Sequence, residues 1–121
     1  MFNWFKKKDK KDAASQNGPD FSTVDSNEKA INLYEKGELA KLHLMPLEFG
    51  GEDGPGNTLY TPAFAQQFKQ RFDAMIEELL HDGKNLNYVA KPAYKGKSFI
   101  PSQLTIEVTG DADFTEVINI W

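Results

Sequence analysis

The sequence predicts an α+β domain: an antiparallel sheet of four to five strands packed against one long amphipathic helix, plus a short N-terminal helix. Three observations carry this. Between Pro62 and Asp82, Phe64, Ala65, Phe68, Phe72, Met75, Ile76 and Leu79 recur at the i, i+3 and i+4 spacing of one helical face. After Gly83 come three strand-like runs, LNYVAKPAY, SFIPSQLTIEVTG and FTEVINIW. Ahead of the helix, ELAKLHLMPLEF alternates, with Leu42 and Leu44 on one side and Lys41 and His43 on the other.

The 121 residues suit one domain, with a core that buries about two-thirds of the unfolded chain's surface. Residues 1–24 read as a flexible basic arm, because Lys6 to Val24 is polar and offers little apolar surface against its ordering entropy. Residues 25–121 form the domain. Its first helix spans about Ser26 to Lys36, with Asp25 as cap, Glu28 completing a capping box and Gly37 as the stop. Pro46 ends the alternating strand or sets it at an edge.

Phe49 to Pro62, FGGEDGPGNTLYTP, packs four of the nine glycines and two of the six prolines around Glu52 and Asp53. It reads as a long loop leading to Thr61, the expected N-cap of the main helix, with Pro62 at the first helical position. TLY can add a short strand. His81 and Gly83 close the helix. Gly96 and Lys97 turn the chain between the first two later strands, and Asp111 to Asp113 between the last two. A three-residue second turn pairs Ile106 with Ile118 and Leu104 with Ile120, apolar against apolar.

Charge and composition exclude several kinds of chemistry. The twelve N-terminal residues carry five lysines and two aspartates (+3), and the remainder nine basic and sixteen acidic residues (-7), together -4. An acidic domain disfavours nucleic acid and favours a cationic partner. Without cysteine there is no disulfide or thiolate chemistry. No apolar run approaches the ~18 residues of a membrane span. The glycines of FGGEDGPGN lack the lysine of a phosphate loop, and Glu52 and Asp53 would repel a phosphate.

Glu78-x-x-His81 has di-iron spacing, but no second motif of that kind accompanies it. His43, on the polar side of its strand, and His81 are the only histidines, so a zinc site would need scattered carboxylates. No G-x-S-x-G elbow is present; Glu77–Glu78 and Glu52–Asp53 are sequence neighbours, and the first pair, pointing about 100° apart on a helix, is unsuited to sharing a proton. The expectation is therefore a protein with no catalytic residue, no metal and no cofactor. Two segments hold acids without any lysine or arginine: Leu47 to Phe68, with Glu48, Glu52 and Asp53, and Phe99 to Trp121, with Glu107, Asp111, Asp113 and Glu116. These are where a basic partner would be steered.

LMPLEFGGEDGPGNTLYTP, KPAYKGKSFIPSQLTIEVTG and the closing INIW resemble small bacterial immunity proteins of polymorphic and contact-dependent toxin systems. The similarity covers about Leu39 to Trp121. It implies a cytoplasmic, non-enzymatic protein that binds and blocks a cognate toxin, often a nuclease with a basic cleft. The residues expected at the interface are Glu48, Glu52, Asp53 and Tyr60, then Asp111, Asp113 and Glu116, acting by charge complementarity with Tyr60 as an aromatic anchor. Two other classes compete. MFNWFKKK could anchor a peripheral membrane or secretion-system protein, although Lys8, Asp9 and Asp12 interrupt its apolar face, so stable membrane association is not expected. A small carboxylate-dependent enzyme would instead place Glu52 or Asp53 beside His43 or His81 in a pocket, where the inhibitor would show a convex acidic face.

Overall fold

The computed structural model describes residues 19–121. In order come α1 (Asn27–Glu35), β1 (Ala40–His43), two 3-10 turns (Leu47–Phe49 and Pro55–Asn57), β2 (Thr58–Thr61), α2 (Ala63–His81), β3 (Leu86–Tyr94), β4 (Pro101–Gly110) and β5 (Phe114–Asn119). The class is α+β, as the sequence predicts. The basic segment 1–18 lies outside the described residues.

The five strands form two antiparallel sheets rather than one. β1 and β2 make a hairpin, with Ala40 opposite Thr61 and Leu42 opposite Leu59. β3, β4 and β5 make a meander with β4 at its centre. The hairpin meets the meander by side chains: Leu42 and Leu59 join Leu104, Ile106 and Val108 of β4 in one core with Ala65, Phe72 and Ile76 of α2. Packed face-on, the hairpin spends its backbone pairing on itself. α2 and the hairpin thus lie side by side on one face of the meander.

The last hairpin departs from the expected register. Ile106 faces Glu116 and Leu104 faces Ile118, a two-residue shift, and pairing begins at Val108 and Phe114. The cause is β3. β4 continues pairing with it to Leu86 opposite Gly110, and the Asp111 carboxylate accepts from the Asn85 amide at 2.8 Å. Thr109 and Gly110 thus pair with β3 alone, Asp111 to Asp113 turn the chain, and Phe114 opens β5 opposite Val108.

Both helices form where their patterns place them, with different caps. Ser26, not Asp25, caps α1 by accepting from the Lys29 amide, while Asp25 pairs with the Lys29 ammonium at 2.7 Å. Gly37 stops the helix at φ 82°. Thr61 does not cap α2: it is fully buried as the last residue of β2, and Pro62 occupies the cap position. Its hydroxyl donates to the Pro62 carbonyl instead.

The helical stripe is wider than the face it buries. Ala65, Phe72 and Ile76 point into the core, whereas Phe64, Phe68 and Met75 remain 46, 42 and 40% exposed. At about 100° per residue the exposed three fall together on one flank, turned away from the hairpin.

A second apolar cluster joins Val24, Ala30, Leu39 and Ile100, with Phe21, Leu33, Tyr60 and Trp121 against it. Val24 is 6% exposed, and its carbonyl accepts from the Phe99 amide at 2.7 Å. Packing therefore begins ahead of α1, inside the segment that the sequence assigns to the arm.

Candidate binding cleft

Phe49 to Pro62 is not one long loop: Phe49 closes the first 3-10 turn, Pro55–Asn57 form the second, and β2 follows at Thr58–Thr61. Asn57 holds it together. Its side-chain oxygen accepts from the Met45 amide at 2.7 Å, and its nitrogen donates to the carbonyls of Met45 and Glu52 at 2.9 and 2.8 Å. Gly51 runs so close to this knot that a Cβ there would collide with the Met45 carbonyl and crowd the Asn57 amide. Gly50, at φ 101°, ends the first 3-10 turn in the left-handed region.

β1 with the first 3-10 turn, and α2 opposite, wall a cleft of about 310 Å³. Lys41, His43, Leu47, Glu48 and Phe49 line one side, and Gln66, Lys69, Gln70, Asp73 and Glu77 the other. Lys69 is 3% exposed, and its ammonium lies 2.7 Å from Asp73 Oδ2. The Tyr88 hydroxyl of β3 donates to Asp73 Oδ1, and the Lys69 ammonium stands 5.3 Å from the Tyr88 ring centre. Burial lowers the Lys69 pKa from the ordinary lysine value, while Asp73 and the more distant Glu48 pull it back up. Burial, then the bonded Asp73 carboxylate, raises the Tyr88 pKa far above that of a free phenol. This triad, with Lys69 buried and Asp73 and Tyr88 half-buried, escapes the sequence reading. One signal was present: Lys69 lies four residues after Ala65 and three before Phe72, on the apolar face, with Asp73 one turn on.

The expected interface residues scatter. Glu48 stands exposed on the first 3-10 turn at the cleft. Glu52 is exposed in the loop, with its carbonyl held by Asn57. Asp53 binds His43 Nε2 at 2.9 Å, and that hydrogen bond, with the Lys41 charge, holds its carboxyl below the usual aspartate value. Tyr60 is half-buried and packs against Tyr34, the rings tilted by 44° with centres 5.3 Å apart, so it is no free-standing anchor. Asp111 is engaged with the Asn85 amide. Asp113 is exposed at the same turn, and Glu116 sits on the inner face opposite Ile106. Asp53 and Tyr60 line one shallow hollow and Asp113 another, with no lining residue in common.

Chemically, the cleft can hold a polar ligand between carboxylates, amides and the Lys69 amine. His43 with Asp53 has the form of a general base and its orienting carboxylate. The lining includes no serine, threonine or cysteine for that base to activate. Among the described residues, no three His, Cys, Asp or Glu side chains converge to hold a metal, and no helix is long and apolar enough to cross a membrane. Comparison with protein-family models, curated protein sequences and solved structures finds no match for the chain.

Proposed function

We propose that this chain is an immunity-type inhibitor, a cytoplasmic protein that binds a basic polypeptide toxin and blocks it without chemistry of its own. The observation that carries the reading is the exposed stripe of Phe64, Phe68 and Met75 on the long helix. Large apolar side chains aligned on a rigid element and rimmed by charge mark the centre of a protein interface. Glu48, Glu52 and Asp113 stand in solvent to steer a cationic partner, and Asp53, exposed though bonded to His43, adds its charge. Tyr60 and Asp111, already engaged within the fold, drop from the contact set; Glu116 stays, at the inner edge of β5.

The test is capture from native host lysate followed by assay. A basic protein that arrests growth alone, and no longer does so when this chain is co-expressed, supports the reading. A captured protein whose activity is unchanged by the chain sinks it.

The His43–Asp53 pair beside the cleft favours a second reading, a small acid–base enzyme. In that case His43→Ala would abolish a turnover that the Glu78→Gln variant retains. If growth protection survives His43→Ala in full, the cleft is not the working site.

A further inference from the structure

The two edges of the meander differ in how they meet solvent. The Asp111 amide donates to the Asn85 carbonyl, so by two-residue alternation the odd-numbered residues of β3 pair with β4. The even-numbered ones face outward, and Pro92 among them has no N–H to offer. A bulge between Ala93 and Tyr94 disturbs the same edge, and Lys91 adds a charge. These are the usual guards against strand pairing.

β5 lacks most of them. The Ile120 amide donates to the Ser102 carbonyl, so Phe114, Glu116 and Ile118 bond to β4. Thr115, Val117 and Asn119 therefore turn their N–H and C=O groups to the open side. FTEVIN contains no proline and no lysine, and its pairing with β4 runs without a bulge.

The exposed stripe of α2 lies on this flank. Asp73 reaches Tyr88 of β3, which sets that side of the helix over β3. Phe64, Phe68 and Met75 occupy the opposite side, which faces β5. An open backbone edge and a shelf of Phe64, Phe68 and Met75, with the Arg71 guanidinium 5.7 Å from the Phe68 ring centre, thus adjoin each other, and together they match an extended polypeptide.

We infer that β5 is the docking strand, and that it pairs with an extended basic segment of the partner whose inward side chains rest on Phe64, Phe68 and Met75. This deepens the immunity reading and rests on it. Charge selects the occupant. Beside β5 stand Asp113 and Glu116, Glu107 being paired with Lys91 at 3.1 Å and Asp111 with the Asn85 amide, and no base occurs from Phe99 to Trp121, so a second copy would bring like charge to like. A lysine- or arginine-bearing strand meets complementary charge at both the turn and Glu116.

The experiment uses the full chain and a short peptide alternating lysine and valine, with one alternating glutamate and valine as control. The lysine peptide should bind and slow amide hydrogen exchange at Thr115, Val117 and Asn119, and the glutamate peptide should not. Val117→Pro removes one outward N–H while leaving the β4 ladder intact, and should weaken binding roughly tenfold. Phe68→Gln should weaken it independently, which decides the matter if the proline variant fails to fold. Unslowed exchange on β5, equal binding by the glutamate peptide, or self-association of the chain through β5 would overturn the proposal. A chain that neutralises its toxin equally well with Val117→Pro sinks the docking strand and leaves the immunity reading standing. Peptide binding at β5 without any neutralised toxin does the reverse.

Discussion

The ammonium of Lys69 lies 2.7 Å from Asp73 Oδ2, and only 4% of the lysine side chain meets solvent. A charge so placed depends on its partner more than the partner depends on it. Asp73 keeps the Tyr88 hydroxyl and 17% of its side-chain surface. Asp73→Asn should therefore lose about 3–5 kcal/mol, and Lys69→Met clearly less, since methionine fills the space without a charge. Urea unfolding of both variants measures the order, and the reverse order would contradict this account.

Tyr88 makes alkaline stability a second readout. Its folded-state pKa is raised above the unfolded value of 10.0. The group therefore contributes stability that is complete below pH 10.0 and is lost as pH climbs beyond it, because only the unfolded chain releases the proton. Lys69, with its pKa lowered, acts in the opposite sense below its unfolded value of 10.5. Tyr88→Phe should unfold less steeply with rising pH above 10.0 than the unaltered chain. Parallel stability curves for the two proteins in that range would count against the burial of this phenol.

The glycine-rich segment should divide its residues sharply. Asn57→Ala releases three side-chain hydrogen bonds and should cost about 2–3 kcal/mol at about 1 kcal/mol each. Gly51→Ala should be comparably harmful, because the new methyl meets the Met45 carbonyl. Gly54→Ala and Gly56→Ala have open space around them and should stay within about 0.5 kcal/mol. Thermal melts of the four variants test the set, and a tolerated Gly51→Ala would show that the knot is loose.

Along α2, burial separates two kinds of aromatic. Phe72→Ala should lose about 3–5 kcal/mol, as core truncations do. Phe68→Gln and Met75→Gln should alter stability by about 0.5 kcal/mol or less while weakening partner binding. Chemical denaturation beside a binding assay distinguishes them. A large loss of stability from Phe68→Gln would assign that ring to the core.

Local signals in the sequence found the elements but not their assembly. Helical spacing located α2 to within one residue at each end, and Gly37 and Gly83 stop their helices at φ 82° and 90°. Alternation located β1 and the meander. What periodicity does not carry is which part of a stripe finds a partner: Phe64 and Phe72 share a pattern, and only the packing of the hairpin and sheet separates them. The division into two sheets and the shift at Ile106 and Glu116 depend on β3, far away in the chain. The candidate site suffered likewise. Acidic residues were visible individually, but the bond from Asp111 to Asn85 and the packing of Tyr60 against Tyr34 arise only on folding.

Trp121 belongs to both apolar clusters at once. Its indole nitrogen donates to the Ile100 carbonyl at 2.9 Å, Phe21 meets it edge-on at 5.9 Å, and the Lys95 ammonium stands 4.8 Å from its ring centre. The chain has one other tryptophan, Trp4, in the N-terminal segment. With Trp4 replaced by phenylalanine, a single tryptophan would remain, at the seam between the clusters. Its emission would then tell whether the cluster around Val24 and Ile100 and the helix–sheet core separate in one optical step or two.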